Sequence, residues 1–81
     1  MIKELFLYTS KNCKLCSEMQ EKLEKILPPQ GISWHLIDID DDPELKHRYG
    51  ARLPVLVGGN KEICELVFDS EALESFISDN S

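Results

Sequence analysis

The sequence predicts an α/β fold in the order β-α-β-α-β-β-α, a four-stranded mixed sheet flanked by three helices. Three observations lead there. The apolar pattern changes from a strand-like run over residues 4–9 to helical spacing directly after it. A strand, a helix and a second strand in that order pair in parallel through a right-handed crossover. Gly58-Gly59-Asn60 then separates two apolar runs as a hairpin turn does, so the last two strands pair antiparallel.

Each element has its own local reason. Residues 4–9 (ELFLYT) form a short apolar run bounded by Ser10 and Asn12, which suits a buried strand. From Asn12, a candidate N-cap, Leu15, Met19, Leu23, Ile26 and Leu27 share one helical face, with Lys and Glu on the other. Pro28-Pro29 and Gly31 end that helix. Residues 32–39 (ISWHLIDI) alternate Ile32, Trp34 and Leu36 against Ser33 and His35, and become apolar on both faces at Ile37. Asp42-Pro43 reads as an N-cap with Pro in the first helical position. Leu45 and Tyr49 give that short helix one buried edge, and Gly50 closes it. Residues 53–57 (LPVLV) and 61–67 are the third and fourth strands, and Asp69 or Ser70 caps a last helix facing inward through Leu73, Phe76 and Ile77.

The 81 residues suit a single domain, 1–81, with one modest core. A hydrophobic fraction of 42% places the chain among ordinary globular sequences and not disordered ones. No apolar run approaches the roughly 20 residues that span a bilayer, so no membrane partner is expected. MIKELFLYTS carries Glu4 and lacks a small-residue cleavage site, and so reads as a strand and not a signal peptide. The net charge is −6, and residues 32–81 hold four basic against eleven acidic side chains. That balance excludes nucleic acid as the expected partner, because phosphate binding needs a basic face. The mild positive balance of residues 1–31 falls around Cys13 and Cys16, through Lys11 and Lys14. Three cysteines are too few and odd in number for an extracellular disulfide scaffold. The expected setting is therefore the reducing cytoplasm, and a monomer is expected.

Cys13-Lys14-Leu15-Cys16 sits where the first strand meets the first helix, and three chemistries compete for it. As a staple the pair is weak, since so short a loop removes roughly 2 kcal/mol of denatured-state entropy at most. As a structural zinc site it supplies two of four ligands; Cys64, His35 and His47 are scattered over other elements. As a redox pair its location is right. A free thiol has a pKa near ~8.5, and a helix start lowers it into the range of about 3.5–7.5. Cys16 lies over the same turn but deeper. Cys13 is then the attacking thiol, and Cys16 the thiol that resolves the mixed disulfide.

A CxxC pair between first strand and first helix, in this element order, resembles the thioredoxin superfamily. Without an additional N-terminal strand and helix it is similar to a glutaredoxin. "YTSKNCKLC" resembles the opening of glutaredoxins, and "DIDDDPELKHRYGARLPVLV" resembles their second helix and the loop into the third strand. The resemblance covers roughly residues 4–78. It implies a thioredoxin-like, glutaredoxin-type fold and thiol–disulfide oxidoreductase activity. It also implies a cis Pro54 beside the cysteines, and a Leu53 whose backbone receives a bound peptide or glutathione. No cofactor is implied beyond glutathione as a candidate reductant, and the partner is a disulfide-containing protein or glutathione.

The chain departs from the family pattern at several points. Lys14-Leu15 replaces Pro-Tyr between the cysteines, and Arg52-Leu53 replaces Thr-Val before the proline. Lys11, two before Cys13, only loosely matches the family's basic residue three before it. Val67-Phe68 stand where glutathione-binding members carry Gly-Gly ahead of an acidic helix cap. Asp69 and Ser70 remain the candidate carboxylate-binding helix start in that place.

Other residues have structural readings first. Cys64 reads as a buried, inert thiol, Tyr8 as core packing and Trp34 as half-buried sheet surface. The acidic run Asp38, Asp40, Asp41, Asp42, Glu44 reads as a solvated turn containing a cap. Within it, an inward Asp38 beneath the cysteines would be placed to take the Cys16 proton. Two rivals to the redox reading stay open: a soft-metal (copper or zinc) carrier using the same thiolates, and a non-catalytic thioredoxin-fold interaction module.

Overall fold

The computed structural model describes residues 4–59 and 61–80. Met1–Lys3 of the N-terminal segment and Asn60 of the predicted turn lie outside the described residues. Among the described residues the elements follow the predicted order: β1 (Glu4–Thr9), α1 (Lys14–Ile26), a 3-10 turn (Pro28–Gln30), β2 (Ser33–Asp38), α2 (Pro43–Tyr49), β3 (Val55–Gly58), β4 (Lys61–Glu65) and α3 (Ser70–Asn80). The sheet order is β2-β1-β3-β4. β1 and β2 are parallel, while β3 is antiparallel to both β1 and β4. The α/β fold with a four-stranded mixed sheet is therefore as expected. No helix among the described residues is long and apolar enough to cross a membrane.

Alternation along the central strands builds two layers on the sheet. Leu5 and Leu7 of β1 face the larger cluster, with Met19 and Leu23 of α1, Leu56 of β3, Ile63 of β4, and Leu73 and Phe76 of α3. Tyr8, Val55 and Val57 face the other way, where Tyr49 and Leu45 of α2 cover them together with Ile39. Each large aliphatic side chain taken fully out of water contributes about 1.5–3 kcal/mol, so these faces determine how the helices dock.

Several boundaries differ from the sequence expectation, each for a local reason. β4 ends at Glu65 and not at residue 67, because Leu66 turns into the left-handed region (φ 66°) and donates its amide to the Pro54 carbonyl at 2.9 Å. Gly58 is the last residue of β3, paired with Lys61, and not part of the turn. A Cβ there would come within 2.5 Å of the Phe76 ring, so only glycine lets α3 approach this closely. The turn itself starts at Gly59, whose φ of 61° suits the reversal. Leu15 was expected on the buried face of α1 but is 45% exposed. Cys16, Met19, Leu23 and Leu27 are the residues that point inward, and Leu15 is rotated about 100° from Cys16 around the helix.

Candidate functional site

The cysteine pair is built by the end of β1 and the start of α1. Cys13, not Asn12, is the N-cap: its backbone is extended (φ −108°, ψ 105°) and its Sγ accepts the Cys16 amide at 3.1 Å. A sulfur thus takes the place that a cap oxygen usually fills, satisfying one of the unpaired amides of the first turn. Cys13 and Cys16 are joined as a disulfide with their Cα atoms 5.2 Å apart. Their environments differ. Cys13 is half-buried, while Cys16 is 2% exposed and belongs to the inward face of α1. Lys11, Lys14 and Leu15 around the pair are exposed.

The other side of this end of the sheet is the start of β3. The Leu53–Pro54 peptide bond is cis. The β1–β3 ladder runs up to Tyr8 opposite Val55, so Pro54 follows at the level of Thr9, where the chain leaves β1 toward Cys13. Pro54 is fully buried, and Leu53 packs against the Ile39–Tyr49 cluster. Arg52, just before them, forks onto Glu62 at 2.6 and 3.1 Å, reaches Glu65 at 3.3 Å and donates to the Arg48 carbonyl at 3.1 Å. Its guanidinium stands 5.5 Å from the centre of the Tyr49 ring, and Tyr49 stacks on Tyr8 at 4.3 Å. The fork holds the Glu62 carboxyl below its usual range and the Arg52 guanidinium above its own. Burial against Tyr49 pushes the Tyr8 phenol up. Arg52 is thus committed to β4 and braces the segment that leads into Pro54.

The remaining candidates lie at the start of α3. Asp69 caps that helix, its carboxylate accepting the Ala72 amide at 3.0 Å, and Ser70 is the first helical residue. Both line an open pocket of about 520 Å³ with Cys64 and Phe68. Cys64 is half-buried there, and burial raises its thiol above the ordinary value. The link from this region to the cysteine end is the Leu66–Pro54 hydrogen bond. Leu66 and Val67 are 43% and 68% exposed. Trp34 is half-buried against the larger cluster. His35 stacks on Phe6 at 5.3 Å, with Glu4 3.7 Å from its Nε2. Among the described residues, no three His, Cys, Asp or Glu side chains are grouped to hold a metal ion.

The acidic run does more than solvate a turn, and the residue that matters is not Asp38. Asp38 is exposed, and its carboxylate accepts the Asp40 amide at 2.8 Å, so it braces a turn and is not a base beneath Cys16. Asp40 instead reaches the loop ahead of Cys13: Ser10 Oγ donates to it at 2.7 Å and the Lys11 amide at 3.1 Å. Its only sequence signal was membership of an acidic cluster, because the partners lie 29 and 30 residues away. These two hydrogen bonds hold its carboxyl below the ordinary 3.8. A depressed carboxylate contributes its contacts fully above the unfolded value and loses them as pH falls through the folded one. The Lys11 amide shift, followed by NMR, should therefore titrate with a midpoint below 3.8. A midpoint at or above that value would mean that the contact does not persist in solution.

The glutaredoxin-like domain family (DUF836) matches residues 4–78. The chain belongs to that family. Solved structures agree with the assignment. Protein Ne2328 from Nitrosomonas europaea superposes with a TM-score of 0.82 at 28% identity, over 94% of this chain and 92% of that one. Protein XcR50 from X. campestris is 30% identical with a TM-score of 0.75, over 93% of this chain and 96% of its own. Thioredoxin 1 from Thermosipho africanus, 19% identical, shares the fold with a TM-score of 0.65 over 95% and 97% of the two chains. No curated protein matches the chain. Membership of this glutaredoxin-like family, the thioredoxin fold and the Cys13–Cys16 disulfide together support a redox function for the pair.

Proposed function

We propose that this protein is a thiol–disulfide oxidoreductase with Cys13 as nucleophile and Cys16 as resolving thiol, acting on a disulfide-containing protein or on glutathione disulfide in the cytoplasm. The observation that carries this reading is the asymmetry of the pair: Cys13 is accessible, with its sulfur on the Cys16 amide, while Cys16 is 2% exposed beneath it. In the reduced protein the same amide and the helix dipole favour the Cys13 thiolate.

The chemistry balances in two exchanges. The Cys13 thiolate attacks one sulfur of the partner's disulfide and expels the other as a thiolate, leaving a mixed disulfide. The Cys16 thiolate then attacks the Cys13 sulfur and expels the partner's remaining thiolate. Two electrons and two protons have passed to the partner, and Cys13–Cys16 is the disulfide described above. Glutathione or an external dithiol reductase returns it to the dithiol. The partner docks along the Leu53 backbone, which the buried Pro54 holds from beneath, with Lys11 and the Asp69–Ser70 start of α3 as its further contacts.

The direct test is equilibration with glutathione redox buffers, read by intact mass after acid quenching and alkylation. The expected result is a two-electron transition confined to Cys13 and Cys16, with Cys64 left as a thiol. Its midpoint should fall between about −270 and −200 mV, the span from thioredoxins to glutaredoxins. Thiols that stay reduced across the range, or that oxidise only through Cys64 or between molecules, would overturn the proposal.

A further inference from the structure

We propose that Asp40 is a positioning residue for Cys13, an inference that rests on the redox reading of the pair and assigns it a partner on the loop that leaves the neighbouring strand, β2. Cys13 owes its place at the N-cap to the short loop 10–12, and that loop is held from outside by one side chain. Both oxygens of the Asp40 carboxylate are used, one by the Ser10 hydroxyl at 2.7 Å and the other by the Lys11 amide at 3.1 Å. Asp40 is itself held in place, since its amide is bound by the Asp38 carboxylate at 2.8 Å. The Ile39 amide, one residue earlier, donates to the Thr9 carbonyl at 3.0 Å. The loop leaving β2 therefore carries the loop leaving β1 as a rigid unit, and Lys11 and Lys46 are the cations that face the carboxylate.

The consequence falls on the thiolate. A helix start stabilises a sulfur anion only while that sulfur stays on the amide it caps, at 3.1 Å here. With loop 10–12 braced, reduction of the disulfide leaves Cys13 in this place. Without the brace, the loop samples arrangements in which the sulfur leaves the Cys16 amide, and the thiolate loses that hydrogen bond for part of the time. Asp40 thereby sets how acidic Cys13 is without touching it.

The test compares Asp40→Ala with Asp40→Asn, because both remove the charge and only Asn can keep both contacts, accepting from Lys11 and donating to Ser10. Two readouts are used on the reduced protein: the Cys13 thiol pKa, from the pH dependence of iodoacetamide alkylation, and the Cys13–Cys16 equilibrium with glutathione. Relative to Asn, Ala should raise the thiol pKa and slow alkylation by roughly threefold to tenfold at pH values below that pKa, the worth of one net hydrogen bond. It should move the glutathione equilibrium toward the disulfide by a similar factor. Ser10→Ala, which keeps the charge and removes one contact, should shift both in the same direction by less. Ala and Asn variants with the same thiol pKa and the same equilibrium would overturn the proposal, even if their melting temperatures differ. Turnover of a disulfide substrate by the unaltered protein is read separately. Its absence would remove the oxidoreductase reading while the alkylation comparison still decides the brace.

Discussion

Replacing Cys13 by serine is expected to abolish disulfide exchange while leaving the fold in place. The loss should be on the order of a thousandfold or more, as removal of a covalent nucleophile gives elsewhere. The fold should survive because serine is among the best N-cap residues, and its Oγ can take the Cys16 amide that Sγ accepts in the structure. Reduced Cys13→Ser should thus unfold at a denaturant concentration no lower than reduced wild type. Cys16→Ser should behave differently. It keeps the accessible thiol and loses the one that resolves the intermediate, so a mixed disulfide between Cys13 and the partner should accumulate. Both results come from one exchange assay with intact-mass readout. Sustained dithiol turnover by Cys13→Ser would show that the nucleophile lies elsewhere, at Cys16 or Cys64, the two cysteines that remain.

Leu23→Ala should be the most destabilising simple truncation on α1. Leu23 is wholly buried in the cluster that joins α1 to β1, β3 and α3. Such a change leaves a cavity as well as losing transfer energy, and costs about 2–5 kcal/mol. A folded protein of this length holds only about 4–12 kcal/mol in total, so the variant should lose a large share of its stability. The informative control is Leu15→Ala. Residue 15 has the same chemistry on the same helix but is 45% exposed, and its truncation should change stability by less than about 0.5 kcal/mol. Denaturant midpoints of the two variants would settle which face of α1 is inward. Equal losses would mean that the helix docks about the axis the Leu15–Met19 spacing suggested.

That pair of residues also shows how far periodicity carries. The spacing of apolar residues placed α1 within two residues of its observed ends, and the parallel β1–β2 pairing followed from the crossover rule. Periodicity puts Leu15 on the inward side because leucine and cysteine are both apolar enough to occupy a core position. Only the tertiary burial of Cys16, 2% exposed against 45% for Leu15, distinguishes them. The cap differs from the expectation for a similar reason: Asn12 is the better cap by composition, but the path of loop 10–12 brings the Cys13 sulfur to the amide first. At the other end of the site, Asp69 was recognisable as a cap because capping is local, needing only the amide three residues on.

Properties that depend on neighbours along the chain were thus legible in the sequence itself: the element order, the α2 and α3 caps, the hairpin, and a cysteine pair at a helix start. Each involves groups within about four residues, where backbone geometry leaves little choice. Contacts between distant loops were not. The Asp40 carboxylate on Ser10 and Lys11, the Arg52 fork on Glu62 and Glu65, and the Leu66 amide on the Pro54 carbonyl all join residues ten or more apart. In each case the sequence offers several equivalent carboxylates or amides. The choice among them comes from the sheet order β2-β1-β3-β4, which brings the loops after β1 and β2 side by side and folds the end of β4 back on the start of β3.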